Sequence, residues 1–315
     1  MNTPTVSVIV PTRNRPYLLK HALTSIAGQR DLPADTVEAI VVNDGGVDVT
    51  ASLAAADEAG LRVRLVAVPH CRGLPNARNT GLQVARGRYV AFLDDDDVFL
   101  PHHLATALDG LDGGGVDAVY TTCVTSPVRV APTDLLPDNA LVEGYPFDAD
   151  LLSVCNYIPV HTVVMRHPVD ALFDRHLPAL EDWDFWLRLV RTYGYRFDHV
   201  DEPTVVYHRV PDQASMSGST VNDAAALTDF GTLAQRLWRR WPATTTRAAH
   251  FRAYIGVMYW HALGLLATGR PVADLYYQRC LRVLIAAWTG HDTEHGLIDR
   301  IRRAVEGEHR AADAA

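Results

Sequence analysis

Short apolar runs alternate with stretches of helical periodicity over about the first hundred residues of the chain. The runs are rich in valine and isoleucine, which is typical of strands that are buried on both faces. The predicted strands are residues 6–11, 37–42, 63–68 and 89–93, and the predicted helices are residues 16–27, 49–59 and 74–85. Strands that alternate with helices form sheets with crossover connections. The pattern therefore predicts an α/β fold with a mostly parallel, Rossmann-like central sheet flanked by helices.

The alternation loosens after about residue 101. Further strands are predicted at residues 118–122, 160–165 and 204–207, with a helix at residues 183–191 and a loop rich in proline, aspartate and glycine at residues 126–148. From about residue 223 the pattern is helical throughout, and residues 251–267 and 272–288 are predicted to form a helical hairpin. The chain is therefore expected to carry an all-helical C-terminal extension.

Polar side chains follow three of the predicted parallel strands. Thr12 and Arg13 follow the first strand, Asp44 ends the second, and four consecutive aspartates at residues 94–97 follow the fourth. Ligands of such sheets bind beyond the carboxyl ends of the strands, so these residues are expected to share one site. Four adjacent carboxylates repel each other unless a cation or solvent neutralises them. The run is therefore either a site for a hard divalent metal or a solvated acidic turn that caps the next helix.

Composition excludes several classes of protein. The chain has 315 residues and is 48% hydrophobic, which suits one large α/β domain with or without an appendage. A net charge of −8 without a dominant basic patch argues against nucleic-acid binding. The four cysteines are widely spaced and no signal peptide precedes the first strand, so we expect a cytoplasmic protein. No apolar run is long enough to cross a bilayer, and peripheral contact with the inner membrane face stays open.

Several motifs in the chain follow the order that is found in family 2 glycosyltransferases with the GT-A fold, and the sequence resembles that family. The motifs are VSVIVPTRNRP, VVNDGG, GLPNARNTGL, ARGRYVAFLDDDD and LEDWDFWLRL, within about residues 5–210. The resemblance implies an inverting enzyme that uses Mn²⁺ or Mg²⁺ to move a sugar from a nucleotide-diphosphate donor to an acceptor hydroxyl. It also implies that residues 1–100 bind the donor and residues 101–220 bind the acceptor, with residues 221–315 as the helical extension.

The resemblance assigns the nucleotide to residues at the ends of the first strands. Asp44 matches an acid that contacts the base, often uracil, whereas the alternative is a turn-forming aspartate before two glycines. Arg78 matches an arginine that lies near the nucleotide in the family. A guanidinium suits this position because it binds phosphate or carboxylate groups. The alternative is that Arg78 pairs with one aspartate of the run. The base and ribose would also contact Pro11, Thr12 and Arg13, for which a plain loop is the alternative.

The D-x-D pattern of the family corresponds to residues 94–96 of the acidic run. The resemblance implies that Asp96 ligates the metal, which would bridge the donor diphosphate, and that Asp94 or Asp95 holds the ribose or reaches the metal through water. Asp97 suits a role as a helix cap or as a residue that contacts a metal ligand. Because the run has a fourth carboxylate, the assignment of the D-x-D pattern stays open by one residue. His208 is a further candidate metal ligand, with a purely structural histidine as the alternative.

The acceptor side of the predicted site begins at the helix that Glu181 and Asp182 open. The resemblance makes Asp182 the general base that takes the proton of the acceptor hydroxyl. Glu181, Trp183 and His161 would help to bind the acceptor. The alternative is that the two acids only complement the helix dipole. Residues 211–220 are predicted to form a flexible lid over the donor.

The expected partners follow from these assignments. The donor is expected to be a UDP- or dTDP-sugar because an aspartate at position 44 suits the imide of a pyrimidine, and GDP donors stay open. The acceptor would be a carbohydrate, a lipid-linked glycan or a small molecule. The aromatic-rich C-terminal helices are expected to pack on the catalytic part or to form a homodimer, with membrane contact through neighbouring arginines as the alternative.

Three rival functions are less consistent with the sequence. A non-catalytic nucleotide-sugar-binding module of the same fold is disfavoured because Asp96 and Asp182 are both present. A Rossmann dehydrogenase is disfavoured because the first strand ends without the glycine fingerprint that binds a pyrophosphate. A metal-dependent phosphohydrolase would use the acidic run but would give no role to Glu181 and Asp182.

Overall fold

The apolar runs and amphipathic stretches become nine strands and ten α-helices in the computed structural model, which describes residues 3–33, 36–168, 170–210 and 222–307. The strands are β1 (Val6–Thr12), β2 (Val37–Asp44), β3 (Arg62–Val68), β4 (Tyr89–Phe92), β5 (Val98–Phe99), β6 (Ala118–Ser126), β7 (Leu141–Glu143), β8 (Val163–Arg166) and β9 (Phe197–His208). The helices are α1 (Pro16–Ala27), α2 (Thr50–Glu58), α3 (Leu74–Val84), α4 (His103–Asp112), α5 (Ala149–Val154), α6 (Glu181–Arg191), α7 (Ala224–Arg240), α8 (Thr246–Ala267), α9 (Tyr276–Thr289) and α10 (Leu297–Glu306).

The chain divides into two compact units. The first contains residues 1–147 and 158–210, and the second contains residues 148–157 and 211–315. All nine strands belong to the first unit, whereas α5 and α7 to α10 belong to the second. The predicted helical extension is therefore present, and it includes α5 from the middle of the sequence.

All nine strands form one sheet in the order β3-β2-β1-β4-β8-β6-β9-β5, with β7 beside β6. The strands β1 to β4 pair in parallel, as the alternation with helices predicts. Strand β8 is antiparallel to both of its neighbours, β4 and β6. The sheet is therefore parallel in its N-terminal half and mixed in the remainder. The predicted α/β class with flanking helices is confirmed.

Three predicted strands differ from the observed ones by more than two residues at one end, and the predicted loop at residues 126–148 contains β7. Strand β6 continues to Ser126, four residues beyond the predicted end at 122. Residues 160–162 form a short 3₁₀ helix, so that β8 begins only at Val163. Strand β9 begins at Phe197, seven residues before the predicted start at 204, and pairs in parallel with β6. Three consecutive exposed residues, 201–203, hide the N-terminal part of β9 from an apolar pattern. A register shift between Thr121 and Cys123 of β6 accommodates this irregular stretch.

Strand β1 is the centre of the core of the first unit and is buried along its whole length. Its alternate side chains pack against α1 on one face of the sheet, together with apolar residues of α4 and β4. On the other face α3 lies close to β1 at Gly81. A Cβ atom at Gly81 would lie 2.3 Å from Cγ2 of Ile9, so only glycine permits this approach. The close contact brings the start of α3 to the carboxyl edge of β1 and β2.

Substituting Gly81 with alanine is expected to lower the free energy of unfolding by about 1–3 kcal/mol, because the added methyl group overlaps Ile9. Gly256 in α8 is a matched control, since a Cβ atom there meets nothing within 4 Å. Gly256→Ala should instead raise stability by about 0.5–1 kcal/mol through helix propensity. Urea denaturation measures the free energy of unfolding of both variants. Equal changes in that free energy would contradict the packing described for α3.

Within the second unit, α8 and α9 make polar contacts with the segment that contains α5 and with the end of α7. Arg252 of α8 donates to the carbonyl oxygens of Ser153 (2.8 Å) and Trp241 (2.6 Å). Trp288 of α9 donates from Nε1 to a carboxylate oxygen of Asp148 at 2.7 Å. Among the helices that the structure describes, none combines the length and the apolar character needed to span a bilayer.

Candidate active site

The carboxyl ends of β1 and β4 bring Thr12 and Arg15 to the acidic run. Thr12 is buried, and its Oγ1 donates to Oδ2 of Asp95 at 2.7 Å. Nη1 of Arg15 lies 3.2 Å from Oδ1 of Asp95 and 3.1 Å from Oδ2 of Asp96. Pro11 is buried inside β1, whereas Arg13 is exposed. The structure therefore places Thr12 beside the run, as predicted, and adds Arg15, which the sequence interpretation missed.

The carboxyl groups of the run have different electrostatic environments. Burial, with the charge of the neighbouring Asp96, raises the pKa of Asp95 to about 6. Burial and the charge of Asp94 also raise the pKa of Asp96. For Asp94 burial acts in the same direction, but the charge and hydrogen bond of Arg78, together with the charges of His161 and Arg15, lower the pKa below the ordinary value. A cation near Asp95 and Asp96 would therefore relieve an unfavourable arrangement.

Asp97 is fully buried and turns away from the surface of the site. Its Oδ1 accepts from the backbone N–H of His208 at 2.8 Å, and its Oδ2 lies 3.3 Å from Nδ1 of His161. Neither Oδ2 nor Nδ1 of this pair has a hydrogen-bond partner among the described residues. Burial lowers the pKa of His161 to about 4, so the imidazole is neutral at physiological pH. His161, expected on the acceptor side, thus lies with the acidic run.

Two groups of atoms in the site could hold a divalent cation. The first is the pair of carboxylates of Asp95 and Asp96, which Arg15 now bridges. The second is formed by Asp94, Asp97 and His161, whose candidate ligand atoms all lie within 4.8 Å of one another. Carboxylate oxygens are the ligands that Mg²⁺ and Mn²⁺ prefer. The residues present therefore fit the metal that the resemblance implies.

Both ring nitrogens of His208 are engaged by the backbone. Nδ1 donates to the carbonyl oxygen of Asp96 at 2.7 Å, and Nε2 accepts from the N–H of Val130 at 3.2 Å. A carbonyl can only accept and an amide N–H can only donate, so these partners define the tautomer. A metal could reach His208 only if the contact with Val130 were broken. The observed contacts of His208 are those expected of a structural histidine.

Arg78 is fully buried and joins the acidic run to the start of α6. Its Nη1 lies 2.5 Å from Oε1 of Glu181, and its Nη2 lies 2.8 Å from Oδ1 of Asp94. Arg78 thus pairs with the acidic run, as the structural interpretation predicts, and this pairing is compatible with a position near a nucleotide. Burial raises the pKa of Glu181 to about 7, while the charge of Arg78 opposes this shift. The result is a direct electrostatic link between β4 and the helix that carries Asp182.

Asp182 lies half-buried in the first turn of α6, and one of its oxygens accepts from the N–H of Trp183 at 2.8 Å. The preceding Leu180 adopts a left-handed conformation with φ of 58°. Such strain in a non-glycine residue is typical of functional sites. Trp183 and Trp186 are both buried, and Trp186 donates to the carbonyl oxygen of Ile158, as expected for a core residue. The predicted lid at residues 211–220 lies outside the described residues.

Asp44 fastens the loop that leads into α3. Its carboxylate accepts from the N–H groups of Arg72 (2.9 Å) and Gly73 (2.8 Å). The turn at Gly45 and Gly46 is instead closed by Asn43, whose Oδ1 accepts from the N–H of Gly46 at 3.0 Å. Asp44 therefore has a structural role that neither sequence interpretation included, and it lies at the carboxyl end of β2.

The fold and the site together define a class of protein. The sheet is parallel up to β4 and carries an aspartate run at its carboxyl edge, as the resemblance to GT-A glycosyltransferases implies. Residues 7–172 match the sequence profile of glycosyl transferase family 2, and the chain belongs to this family. The predicted family is thereby confirmed, whereas the roles of individual residues remain predictions.

Related sequences cover different shares of the chain. It is 38% identical over 112 residues to the succinoglycan biosynthesis protein ExoO of Rhizobium meliloti (strain 1021), and the alignment covers 36% of this chain and 31% of that protein. It is 28% identical over 205 residues to the uncharacterized glycosyltransferase YwdF of Bacillus subtilis (strain 168), which is 64% of this chain and 73% of that protein. The alignment with an uncharacterized glycosyltransferase of Rickettsia bellii spans only 29% of that relative. The activities of the complete relatives do not follow from the shared domain.

Solved structures with the same fold are distant in sequence. The crystal structure of S. aureus TarS 1-349 has a TM-score of 0.52 and 17% identity, with 96% of this chain and 90% of that chain covered. The mannosyltransferase PcManGT from Pyrobaculum calidifontis has a TM-score of 0.58 and 19% identity, with 96% and 86% covered. At these identities the likeness shows the fold alone.

Proposed function

We propose that this protein is an inverting, metal-dependent glycosyltransferase that moves a sugar from a nucleotide-diphosphate donor to an acceptor hydroxyl. The observation that carries the proposal is the buried Arg78, which connects Asp94 of the acidic run with Glu181 at the start of α6. This connection keeps the proposed donor carboxylates and the proposed base, Asp182, in one arrangement. A site for a nucleotide alone would give no reason to tie α6 to the acidic run.

The donor diphosphate is proposed to bind at the acidic run, with Asp96 as the metal ligand and Asp94 or Asp95 near the ribose. When bound, Mn²⁺ or Mg²⁺ would neutralise the negative charge that develops on the leaving nucleoside diphosphate. PcManGT, which shares the fold, has been solved in complex with GDP-Man and Mn²⁺. His208 is a weaker candidate for the metal because both of its ring nitrogens contact the backbone.

The nucleotide is proposed to be UDP or dTDP. Asp44 lies at the carboxyl end of β2, and its oxygens accept backbone N–H groups that hold the adjacent loop in place. A carboxylate that is held in this way can still accept a further hydrogen bond, as from a pyrimidine imide. TarS 1-349 has been solved in complex with UDP and with UDP-GlcNAc. The GDP-Man complex of PcManGT keeps a purine donor as the second candidate.

Asp182 is proposed to take the proton of the acceptor hydroxyl as that oxygen attacks the anomeric carbon of the donor sugar. Attack opposite the leaving diphosphate inverts the anomeric configuration. Residues 1–100 would bind the donor and residues 101–220 the acceptor, which would be a carbohydrate, a lipid-linked glycan or a small molecule. A cytoplasmic setting, with any membrane contact peripheral, is part of the proposal.

A screen of nucleotides by thermal shift tests the proposed donor class. UDP, dTDP and GDP are each added with and without Mn²⁺, and UDP or dTDP with Mn²⁺ is expected to raise the melting temperature most. Ligand at 100 times its Kd stabilises the folded state by about 2.7 kcal/mol, which is readily measured. Adenosine diphosphate with Mn²⁺ is the control for unspecific diphosphate binding. A failure of UDP, dTDP and GDP to stabilise the protein more than adenosine diphosphate does would contradict the proposal.

A further inference from the structure

Arg15 bridges two carboxylates of the acidic run in a way that resembles a bound cation. A single nitrogen, Nη1, lies 3.2 Å from Oδ1 of Asp95 and 3.1 Å from Oδ2 of Asp96. The side chains of the two aspartates are only 7% and 11% exposed, whereas that of Arg15 is 32% exposed. The positive charge therefore enters a nearly buried pair of like charges from the solvent side.

This position is the one that a divalent metal held by Asp96 would need. Adjacent carboxylates repel each other, and a guanidinium, which is charged at every physiological pH, removes that repulsion. A Mg²⁺ ion would bind an oxygen of Asp96 at about 2.0–2.1 Å, which is inside the distance that Nη1 now keeps. The guanidinium and the metal cannot contact the same oxygen in the same place. A metal on Oδ2 of Asp96 would therefore displace Arg15.

The displaced side chain would find a new partner close by. Arg15 directly follows Asn14 and precedes α1, so its backbone stays at the carboxyl edge of β1 when its side chain turns. A diphosphate bridged by the metal would place two negatively charged groups at the same edge. The fork of N–H donors of a guanidinium matches phosphate oxygens. The exchange would thus replace one set of anionic partners by another.

We infer that Arg15 occupies the cation position of the donor site in the free protein and binds the donor diphosphate after a divalent metal takes its place. The inference rests on the proposed function, because it requires a metal and a diphosphate at the acidic run. The inference has two consequences for binding affinity. Arg15 weakens the binding of metal alone, and it strengthens the binding of nucleotide once metal is present.

Titration of the protein with MnCl₂ in the absence of nucleotide tests the first consequence. Arg15→Gln should bind Mn²⁺ roughly fivefold tighter, or more, than the wild type, because the competing charge is gone. Arg30→Gln is the matched control, since Arg30 is exposed just beyond α1 and the variant removes the same charge. Arg15→Lys, which keeps the charge, should retain the weak affinity. Equal affinities of Arg15→Gln and Arg30→Gln would overturn the displacement.

Titration with UDP and with uridine at saturating Mn²⁺ tests the second consequence. Arg15→Gln should bind UDP about tenfold more weakly than the wild type and uridine with the wild-type affinity, because only UDP carries the diphosphate. An unchanged ratio of UDP to uridine affinity would overturn the phosphate contact. If the wild type bound neither UDP nor GDP, the proposed function would fail, and the MnCl₂ titration would still decide the displacement.

Discussion

The variant Asp182→Asn is expected to lose sugar transfer by roughly 10²- to 10⁴-fold in kcat while keeping the wild-type affinity for UDP in the presence of Mn²⁺. The acceptor hydroxyl must lose its proton as it attacks, and an amide cannot take that proton. The proposed donor residues lie at the ends of β1, β2 and β4 and not in α6, so the substitution leaves them in place, and the Asp182 side chain accepts from the N–H of Trp183 in its own helix. The amide oxygen of asparagine can accept the same hydrogen bond. The measurement is kcat by product formation, together with UDP affinity by calorimetry.

Two further variants distinguish the loss of the proposed base from the loss of a negative charge or of a neighbouring contact. Asp198 is exposed in the same unit, so Asp198→Asn removes one negative charge without touching the site and should leave kcat unchanged. Glu181→Gln weakens the link to Arg78 and should perturb acceptor binding more than Asp182→Asn does. Full turnover by Asp182→Asn with loss of turnover in Glu181→Gln would move the base to Glu181. Donor binding without turnover in the wild type would favour a non-catalytic module.

Asp182 and Glu181 are adjacent in sequence but differ in burial and in their contacts. The carboxylate of Glu181 is buried and committed to Arg78, whereas Asp182 is half-buried in the first turn of the helix. The proposal therefore assigns the proton transfer to Asp182, the more exposed of the two acids. The strained backbone at Leu180 directs the chain into α6 at this point, which fixes where Asp182 stands relative to the helix axis.

The architecture of the first half of the chain could be predicted because its signals are local. Strands β1, β2 and β4 are buried along nearly their whole length, so their apolar runs stand out and their polar ends mark the carboxyl edge. Strand β9 gives a weaker signal, because its N-terminal part carries exposed residues and contains the irregular pairing with β6. The antiparallel entry of β8 depends on contacts between distant segments, which no local pattern contains.

The partners of the site residues could be predicted less well than their positions. The arrangement at the strand ends follows from the topology, and it brings Thr12 to the acidic run as expected. Which acid Arg78 would meet depended on the distance to α6, more than a hundred residues along the chain. Arg15 was missed although it belongs to the first motif, because nothing in the spacing shows that its side chain turns back toward Asp95 and Asp96.

Asp96→Asn is expected to weaken Mn²⁺ binding by roughly 10- to 100-fold and to abolish the gain in UDP affinity that Mn²⁺ provides. The fold should persist, because the contacts of Asp96 with His208 and Arg129 use its backbone carbonyl oxygen, which the substitution leaves in place. UDP calorimetry with and without Mn²⁺ measures the effect, and Asp109→Asn, exposed on α4, controls for the lost charge. Retained Mn²⁺ dependence in Asp96→Asn, with its loss in His161→Gln, would instead assign the metal to the buried group of Asp94, Asp97 and His161.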